Sequence, residues 1–257
     1  MKVICDTNIW YDIATGKIRK EQLAGVELYS SYVNLFELAK TPNLVIDWKL
    51  VKAAVRALHD NSKGIYETNP IEFIIQKQYP DYKAKDNSYK QILKGFEDLM
   101  DRPDTEEIPP EVKEKMQKSV DEFAEAAQKS ADNVNSKLPG IREKIKETIG
   151  KKEHRKIVSY PLIYDVINVF VGQQSQGEIS LDSENYPWGE IELLVKTWDG
   201  YFKDLEVSGN QKFQPNDWQD IFVMSYVSPE YKFLTSEGKW KRLIEANADT
   251  KKYLAVI

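Results

Sequence analysis

Cysteine and histidine are scarce in this sequence, and their scarcity excludes several kinds of site. Cys5 is the single cysteine among 257 residues, which rules out an intrachain disulfide and a zinc site built on several thiolates. We interpret Cys5 as a small buried side chain in a strand. His59 and His154 are the two histidines. Both stand among polar neighbours and are expected at the surface, so a Ser-His-Asp or Cys-His mechanism has little support.

Long apolar runs and phosphate-binding loops are also missing. No apolar run approaches the roughly 20 residues that span a bilayer, and the N-terminus has no basic-then-apolar signal pattern. No Gly-x-x-x-x-Gly-Lys loop is present. Together with the single cysteine, these absences favour a cytoplasmic protein that does not use a membrane.

Charge is distributed unevenly along the chain. The net charge of −5 argues against a protein that binds polyanions through its overall charge. Residues 97–135 are strongly acidic, whereas residues 137–156 carry eight bases against three acids. Such runs are usually solvated faces. The alternative is that the basic run contacts phosphate, with Lys151, Lys152, Arg155 and Lys156 as the candidate RNA-binding residues.

The first residues have the pattern of a buried parallel strand that ends at an acid. The apolar run 3–5 stops abruptly at Asp6, and Asn8 follows closely. Ligands of open α/β sheets bind at the carboxyl ends of the strands, so Asp6 stands where chemistry usually occurs. The alternative is that Asp6 only caps the helix that begins near Asn8.

A second strand-to-helix transition carries another acid. Residues 28–33 are typical of a strand, and residues 34–40 of the helix after it. Asn34 is a suitable N-cap and Glu37 stands at its N3 position, so capping is one interpretation of both residues. The other interpretation is a second carboxylate at the edge of the sheet.

The middle of the sequence is nearly all helical. Apolar side chains spaced by threes and fours from Val112 to Leu138 predict one long amphipathic helix, broken at Pro139-Gly140. Residues 141–149 continue the pattern and predict a partner helix in an antiparallel hairpin. The run 162–171 is apolar almost all round, which predicts a buried helix.

The C-terminal part of the sequence also places acids near the predicted end of a strand and the start of a helix. A helix opens near Asp217 and Asp220, and a short strand at 231–235 ends at Thr235 and is followed by Glu237. We interpret Asp217 as the helix cap and Asp220 as the functional acid. Strands therefore occur near both ends of the chain, which predicts an α/β domain from residues 1–60 and 158–257 with a helical insertion at 61–157.

The four acids Asp6, Glu37, Asp220 and Glu237 can converge on one edge if the strands are parallel. Clustered carboxylates repel one another unless they are protonated or bound to cations. Oxygen-only ligation suits Mg²⁺ or Mn²⁺, which can activate water and neutralise charge on a phosphodiester.

This arrangement resembles the PIN-domain ribonucleases, through Asp6-Thr7-Asn8-Ile9, Asn34-Leu35-Phe36-Glu37-Leu38, Asp220 and Thr235-Ser236-Glu237. The resemblance implies a three-layer α/β/α sandwich with a central parallel sheet, here with a large helical insertion. It also implies cleavage of RNA with Mg²⁺ or Mn²⁺ held by Asp6, Glu37 and Asp220. By the same resemblance, Glu237 would fill a fourth acidic place, and Asn8 and Thr235 would support the site by hydrogen bonds. Asp217, one turn before Asp220, could share or take the role of Asp220.

Two other functions compete with this interpretation. A phosphatase similar to the haloacid dehalogenases would use Asp6 as nucleophile, but it requires a second Asp where Asn8 stands. A catalytically inactive PIN-like scaffold would bind RNA or a protein through the helical insertion. An antitoxin-like or other protein partner and a homodimer are open at this point. The tryptophans are expected in the core, with stacking on bases as the alternative.

Overall fold

The sheet of this protein is parallel and is assembled from both ends of the chain. The computed structural model describes residues 1–85 and 87–257. Within them, one sheet of four parallel strands has the order β3-β2-β1-β4. The strands are β1 (Lys2–Cys5), β2 (Glu27–Ser31), β3 (Ser62–Tyr66) and β4 (Lys232–Leu234). The predicted α/β class with a central parallel sheet is confirmed.

Helices surround the sheet and connect its strands. They are α1 (Thr7–Ala14), α2 (Tyr32–Lys40), α3 (Asn43–Ile46), α4 (Trp48–Asn61), α5 (Pro70–Gln78), α6 (Ser88–Asp101), α7 (Pro110–Thr148), α8 (Lys151–His154), α9 (Tyr160–Gln174), α10 (Glu192–Val207), α11 (Asp217–Phe222), α12 (Gly238–Ala246) and α13 (Ala248–Lys251). Short 3₁₀ turns lie at Lys20–Leu23, Trp188–Ile191 and Val223–Tyr226. Within residues 1–85 and 87–257, no helix combines the length and the apolar character needed to cross a bilayer.

Alternating side chains of β1 divide the core between the two faces of the sheet. Val3 and Cys5 belong to one apolar cluster, which α1, α4 and α6 cover. Ile4 belongs to the other cluster, which α5, α9, α10 and α12 cover. Because successive side chains of a strand point to opposite faces, a strand buried on both sides must be apolar throughout. This explains the unbroken apolar run before Asp6.

The helical segment shares the core of the sheet domain. Ala131 and Leu138 of α7 lie in the same apolar cluster as Ile4. The sheet also takes β3 from the segment 61–157, which the sequence assigned to the insertion. This edge strand includes Gly64 and is only partly buried, so it lacks the apolar run that identifies a buried strand.

The predicted break at Pro139 is wrong, because α7 is a single helix from Pro110 to Thr148. A proline inside a helix removes one backbone hydrogen bond and crowds the preceding turn. Side chains on both sides hold this region: Asn135 exchanges two hydrogen bonds with the backbone of Phe213. Arg142 donates to the carbonyls of Leu205 and Gln211. Tertiary contacts therefore outweigh the local cost.

The prediction that the helix at 162–171 is buried all round is also wrong. In α9, Ile163, Ile167 and Val171 face the core, whereas Leu162 and Val169 are each 58% exposed. An apolar run shows that a helix can be buried on any side, but the number of neighbouring elements decides which sides are covered.

Replacing Pro139 by alanine should stabilise the protein. Pro139 is exposed, so the change leaves no cavity, and alanine restores a backbone donor inside α7. We expect the free energy of unfolding to rise by about 1–3 kcal/mol, measured by urea denaturation. Lys137→Ala, at an exposed position in the same turn, is the control. A fall in stability with Pro139→Ala would mean that the fold requires the proline.

Candidate active site at the carboxyl edge of the sheet

The structure brings the four predicted acids together around one cavity. Asp6 follows β1, Glu37 lies in α2, Asp220 in α11, and Glu237 follows β4. All four line a cavity of about 220 Å³. Because β1 and β4 are parallel neighbours, their carboxyl ends deliver Asp6 and Glu237 to the same edge.

Asp6 is fixed by hydrogen bonds on both carboxylate oxygens. Its Oδ1 accepts from the backbone N–H of Thr7 at 2.7 Å, and its Oδ2 accepts from the Thr235 hydroxyl at 2.7 Å. The Asp6 backbone N–H donates to the carbonyl of Leu234 at 2.8 Å, which ties it to the end of β4. Asp6 is also the N-cap of α1, so the capping and site interpretations are compatible.

Glu37 and Glu237 each accept a side-chain hydrogen bond on one carboxylate oxygen. The Thr7 hydroxyl donates to Glu37 Oε2, and Asn8 Nδ2 donates to Glu237 Oε1 at 2.8 Å. Thr235 accepts from the backbone N–H of Glu237 at 3.0 Å. Asn8 and Thr235 thus make the supporting hydrogen bonds that the sequence assigned to them. The second oxygen of each glutamate has no hydrogen bond within residues 1–85 and 87–257, which leaves it available to a ligand.

The predicted cap of α2, with Asn34 as the N-cap and Glu37 at N3, is wrong. Helix α2 begins at Tyr32 with Ser31 as its N-cap, so Asn34 occupies the N3 position and Glu37 lies one turn further on. The completely buried Asn34 amide accepts from the backbone N–H of Ser31 at 2.9 Å. It donates to the carbonyl of Cys5 and to the Thr7 hydroxyl, both at 3.1 Å. Glu37 therefore has no capping role to explain its position.

Asp217 lies behind the cavity and does not line it. Asn216 is the N-cap of α11, so the predicted cap role of Asp217 is wrong. The buried Asp217 carboxylate accepts from the Tyr201 hydroxyl, from the backbone N–H of Gln214 at 2.7 Å, and from Lys239. The same Lys239 ammonium lies 3.9 Å from Asp220 Oδ2. Asp220 is thus the aspartate of α11 that faces the cavity.

Burial and mutual repulsion make Asp6, Glu37 and Asp220 hold protons strongly. Burial, reinforced by the charge of Asp6, raises the pKa of Glu37 to about 8. Burial raises the pKa of Asp6 to about 6, although its hydrogen bond from Thr235 acts in the opposite direction. Burial and the charges of Glu37 and Asp6 raise the pKa of Asp220 well above its ordinary value. A cavity with these properties favours protons or bound cations.

The donor chemistry of the cavity fits a hard divalent cation. Carboxylate oxygens with hydroxyl and amide support are the ligands of Mg²⁺ and Mn²⁺. Within the described ranges, no three His, Cys, Asp or Glu side chains are spaced to enclose an ion. The acids are close enough to raise one another's pKa. Direct coordination by three of them would need side-chain movement, and Mg²⁺ commonly retains several waters.

The basic run lies far from the acidic cavity. Phe123 of α7 lines the cavity, and α7 continues for about 37 Å, at 1.5 Å per residue, before it ends at Thr148. Lys151 and Lys152 in α8 are exposed, Lys156 pairs with Glu153, and Arg155 lies 3.9 Å from Asp204. RNA binding by this run remains a prediction. The surface assignment of His154 is wrong, because it is half-buried against Glu206.

Several residues of the cavity were missed by the sequence analysis. Tyr11, Lys40, Phe123 and Gln219 all line it. Tyr11 and Phe123 have the same apolar spacing as core aromatics, so sequence alone does not separate them. Gln219 could have been found from its position beside Asp220. Three tryptophans, by contrast, are almost completely buried, as the core interpretation predicted: Trp10, Trp198 and Trp240.

Asp217 and Asp220 should respond in opposite ways to replacement by asparagine. Asp217→Asn removes the charge that pairs with Lys239, and we expect the free energy of unfolding to fall by about 2–4 kcal/mol. Asp220→Asn relieves repulsion in the cavity, so the protein in chelator should become more stable. Urea denaturation in EDTA measures both changes. Equal destabilisation by the two variants would contradict this assignment of their roles.

Glu37 should make the stability of the metal-free protein depend on pH. Its folded pKa of about 8 exceeds the ordinary value of 4.5, so the folded state binds the proton more tightly than the unfolded state. Stability is therefore lost as the pH rises from about 4.5 to about 8. Glu37→Gln should become increasingly more stable than the parent across this interval in EDTA. Glu125→Gln, an exposed change on α7, is the control, and a gap that is the same at pH 5 and pH 8 would refute the effect.

Comparison with known proteins finds no match for this chain. No family model matches it, and neither a curated protein nor a solved structure matches it. The resemblance to PIN-domain ribonucleases therefore rests on the residues quoted above. Function has to be argued from the chemistry of the site itself.

Proposed function

We propose that this protein is a PIN-like, metal-dependent endoribonuclease that hydrolyses RNA phosphodiester bonds in the acidic cavity. The observation that carries the proposal is the convergence of Asp6, Glu37, Asp220 and Glu237 on one cavity. These acids come from chain positions as distant as 6 and 237. Buried carboxylates that raise one another's pKa are costly to a fold. A bound cation would offset that cost, which supports a metal-binding role.

Asp6, Glu37 and Asp220 would hold Mg²⁺ or Mn²⁺. When bound, such an ion lowers the pKa of water and neutralises charge that develops on a phosphodiester. Thr7 orients Asp6 through its backbone N–H and Glu37 through its hydroxyl. Lys239, anchored by Asp217, places a positive charge 3.9 Å from Asp220 Oδ2.

Glu237 and Lys40 would act on the reactants. Asn8 holds Glu237 Oε1, so Oε2 can accept a proton from the attacking water. Lys40 lines the cavity, with its ammonium held at 2.5 Å by the Ser119 hydroxyl, and supplies positive charge for a phosphate oxygen. RNA as the substrate comes from the family resemblance. The chemistry of the cavity itself supports a phosphodiester as the group that reacts.

Asp6→Asn should abolish cleavage while the protein stays folded. The asparagine keeps the shape, because its oxygen can accept from the Thr7 backbone N–H and its NH₂ group can donate to the Thr235 hydroxyl, but the charge is lost. We expect cleavage of an unstructured RNA with Mn²⁺ to fall by roughly a hundredfold or more. Circular dichroism and thermal unfolding verify the fold, and Asp132→Asn, an exposed change on α7, is the control.

The binding of metal is measured separately from activity. Mn²⁺ should raise the melting temperature of the parent by mass action and raise that of Asp6→Asn much less. Unchanged cleavage by purified Asp6→Asn would remove the proposed enzyme. Metal-independent RNA binding without cleavage by the parent would favour the inactive scaffold instead.

A further inference from the structure

A second cavity adjoins the acidic one and shares Gln219 with it. Its volume is about 250 Å³. The lining is mostly apolar, includes four aromatic rings and contains no charged side chain; it consists of Tyr32, Val33, Phe36, Asn69, Pro70, Ile71, Gln174, Trp218, Gln219 and Phe222. We call it the aromatic cavity. Its chemistry differs sharply from that of the four carboxylates beside it.

Two helices each supply an aromatic pair to this cavity. Tyr32 and Phe36 of α2 are stacked, with ring centroids 5.8 Å apart and planes at 19°. Trp218 and Phe222 of α11 are stacked at 6.0 Å and 23°. Both pairs have i,i+4 spacing, which places their members on one face of a helix.

The same two helices serve the acidic cavity. Glu37 follows Phe36 directly in α2, and Asp220 stands between Trp218 and Phe222 in α11. In each of the two helices, an aromatic residue of one cavity therefore stands one or two positions from a carboxylate of the other. A chain whose phosphate entered the acidic cavity would bring the group attached to that phosphate next to these rings.

The aromatic rings are held in place before any ligand arrives. Trp218 Nε1 donates to the Ser130 hydroxyl of α7 at 2.9 Å. The Phe36 ring packs edge-on against Phe123, with centroids 5.3 Å apart. Fixed aromatic surfaces bind planar groups without the entropy cost of ordering flexible side chains.

The amide of Gln219 supplies a polar contact. Its Oε1 is buried and accepts no hydrogen bond from any group in residues 1–85 and 87–257. A buried acceptor without a donor is unfavourable, and rotation of the Gln219 amide toward the cavity would let an N–H group of a ligand satisfy it. The aromatic cavity thus combines planar apolar surfaces with the amide of Gln219 and has no charged side chain.

We propose that the aromatic cavity binds a nucleobase of the strand whose phosphate lies in the acidic cavity. An uncharged planar ring with polar edges fits these surfaces, because bases stack on aromatic side chains and Gln reads base edges. This inference rests on the proposed function, since the acidic cavity must bind the adjacent phosphate. Phe36 and Trp218 supply the stacking surfaces, and Gln219 contacts the base edge.

Photocrosslinking tests the contact directly. A single-stranded RNA oligonucleotide that contains 5-iodouridine is irradiated with the full-length protein and Ca²⁺, and adducts are located by peptide mass spectrometry. We expect adducts on the four rings Tyr32, Phe36, Trp218 and Phe222. Adducts only at other residues, or no adduct at all, would overturn the subsite.

Substitutions give a second readout. Phe36→Leu should weaken oligonucleotide binding by roughly tenfold. Gln219→Leu should reduce the preference among the four homopolymers by about fivefold or more. Phe96→Leu, in α6, is the control for loss of a packed ring, and Gln173→Leu, an exposed change on α9, is the control for loss of an amide. Base preference unchanged in Gln219→Leu would remove Gln219 from the subsite.

The two proposals can fail separately. Cleavage of RNA with adducts confined to other surfaces would keep the nuclease and refute the base subsite. Adducts in the aromatic cavity without cleavage would support the subsite and refute the nuclease. If an aromatic peptide competes for the cavity while RNA gives no adduct there, the occupant is a protein and the nucleobase proposal is wrong.

Discussion

The buried amide of Asn34 joins the two strand ends on which the acidic cavity is built. Asn34 accepts a hydrogen bond at the end of β2, from the backbone N–H of Ser31, and donates to the carbonyl of Cys5 at the end of β1. It also donates to Thr7, whose hydroxyl in turn donates to Glu37. In a dry environment each of these bonds is strong, and each unpaired group would be costly. The geometry of the acids therefore depends on this side chain, which is not itself an acid.

Opposing forces meet at this edge of the sheet. Packing on both faces fixes the strands, while burial and like charge act against ionised carboxylates placed beside one another. The structure offsets part of this cost with directed donors: two on Asp6 and one on each of Glu37 and Glu237. Lys239 adds a fixed positive charge behind Asp220. Hydrogen bonds and a positive charge from neighbouring residues thus hold the four acids in place, because the acids do not attract one another.

Local patterns in the sequence and the family resemblance predicted the acids and two of their supports, Asn8 and Thr235, but not Asn34. An apolar run that ends at Asp6 is a local feature, and so is the short strand before Glu237. By contrast, Asn34 has the same spacing to Glu37 as a capping box, and only the tertiary position of Cys5 and Thr7 reveals its actual partners. The continuity of α7 through Pro139 was likewise unpredictable, because contacts to residues more than sixty positions away override a sound local rule. The strand β3 was missed because an exposed edge needs no apolar run.

Because Cys5 is buried, the reactivity of its thiol reports local unfolding around the central strand β1. The thiol is completely buried on β1, and both burial and the neighbouring charge of Asp6 raise its pKa well above the ordinary value. Thiol reagents react with the solvated thiolate, so in the closed fold this group is inert. As the chain has a single cysteine, its labelling rate reads out how often the central strand is exposed to solvent. That rate measures, without any engineered residue, the local free energy that keeps the carboxyl edge of the sheet intact.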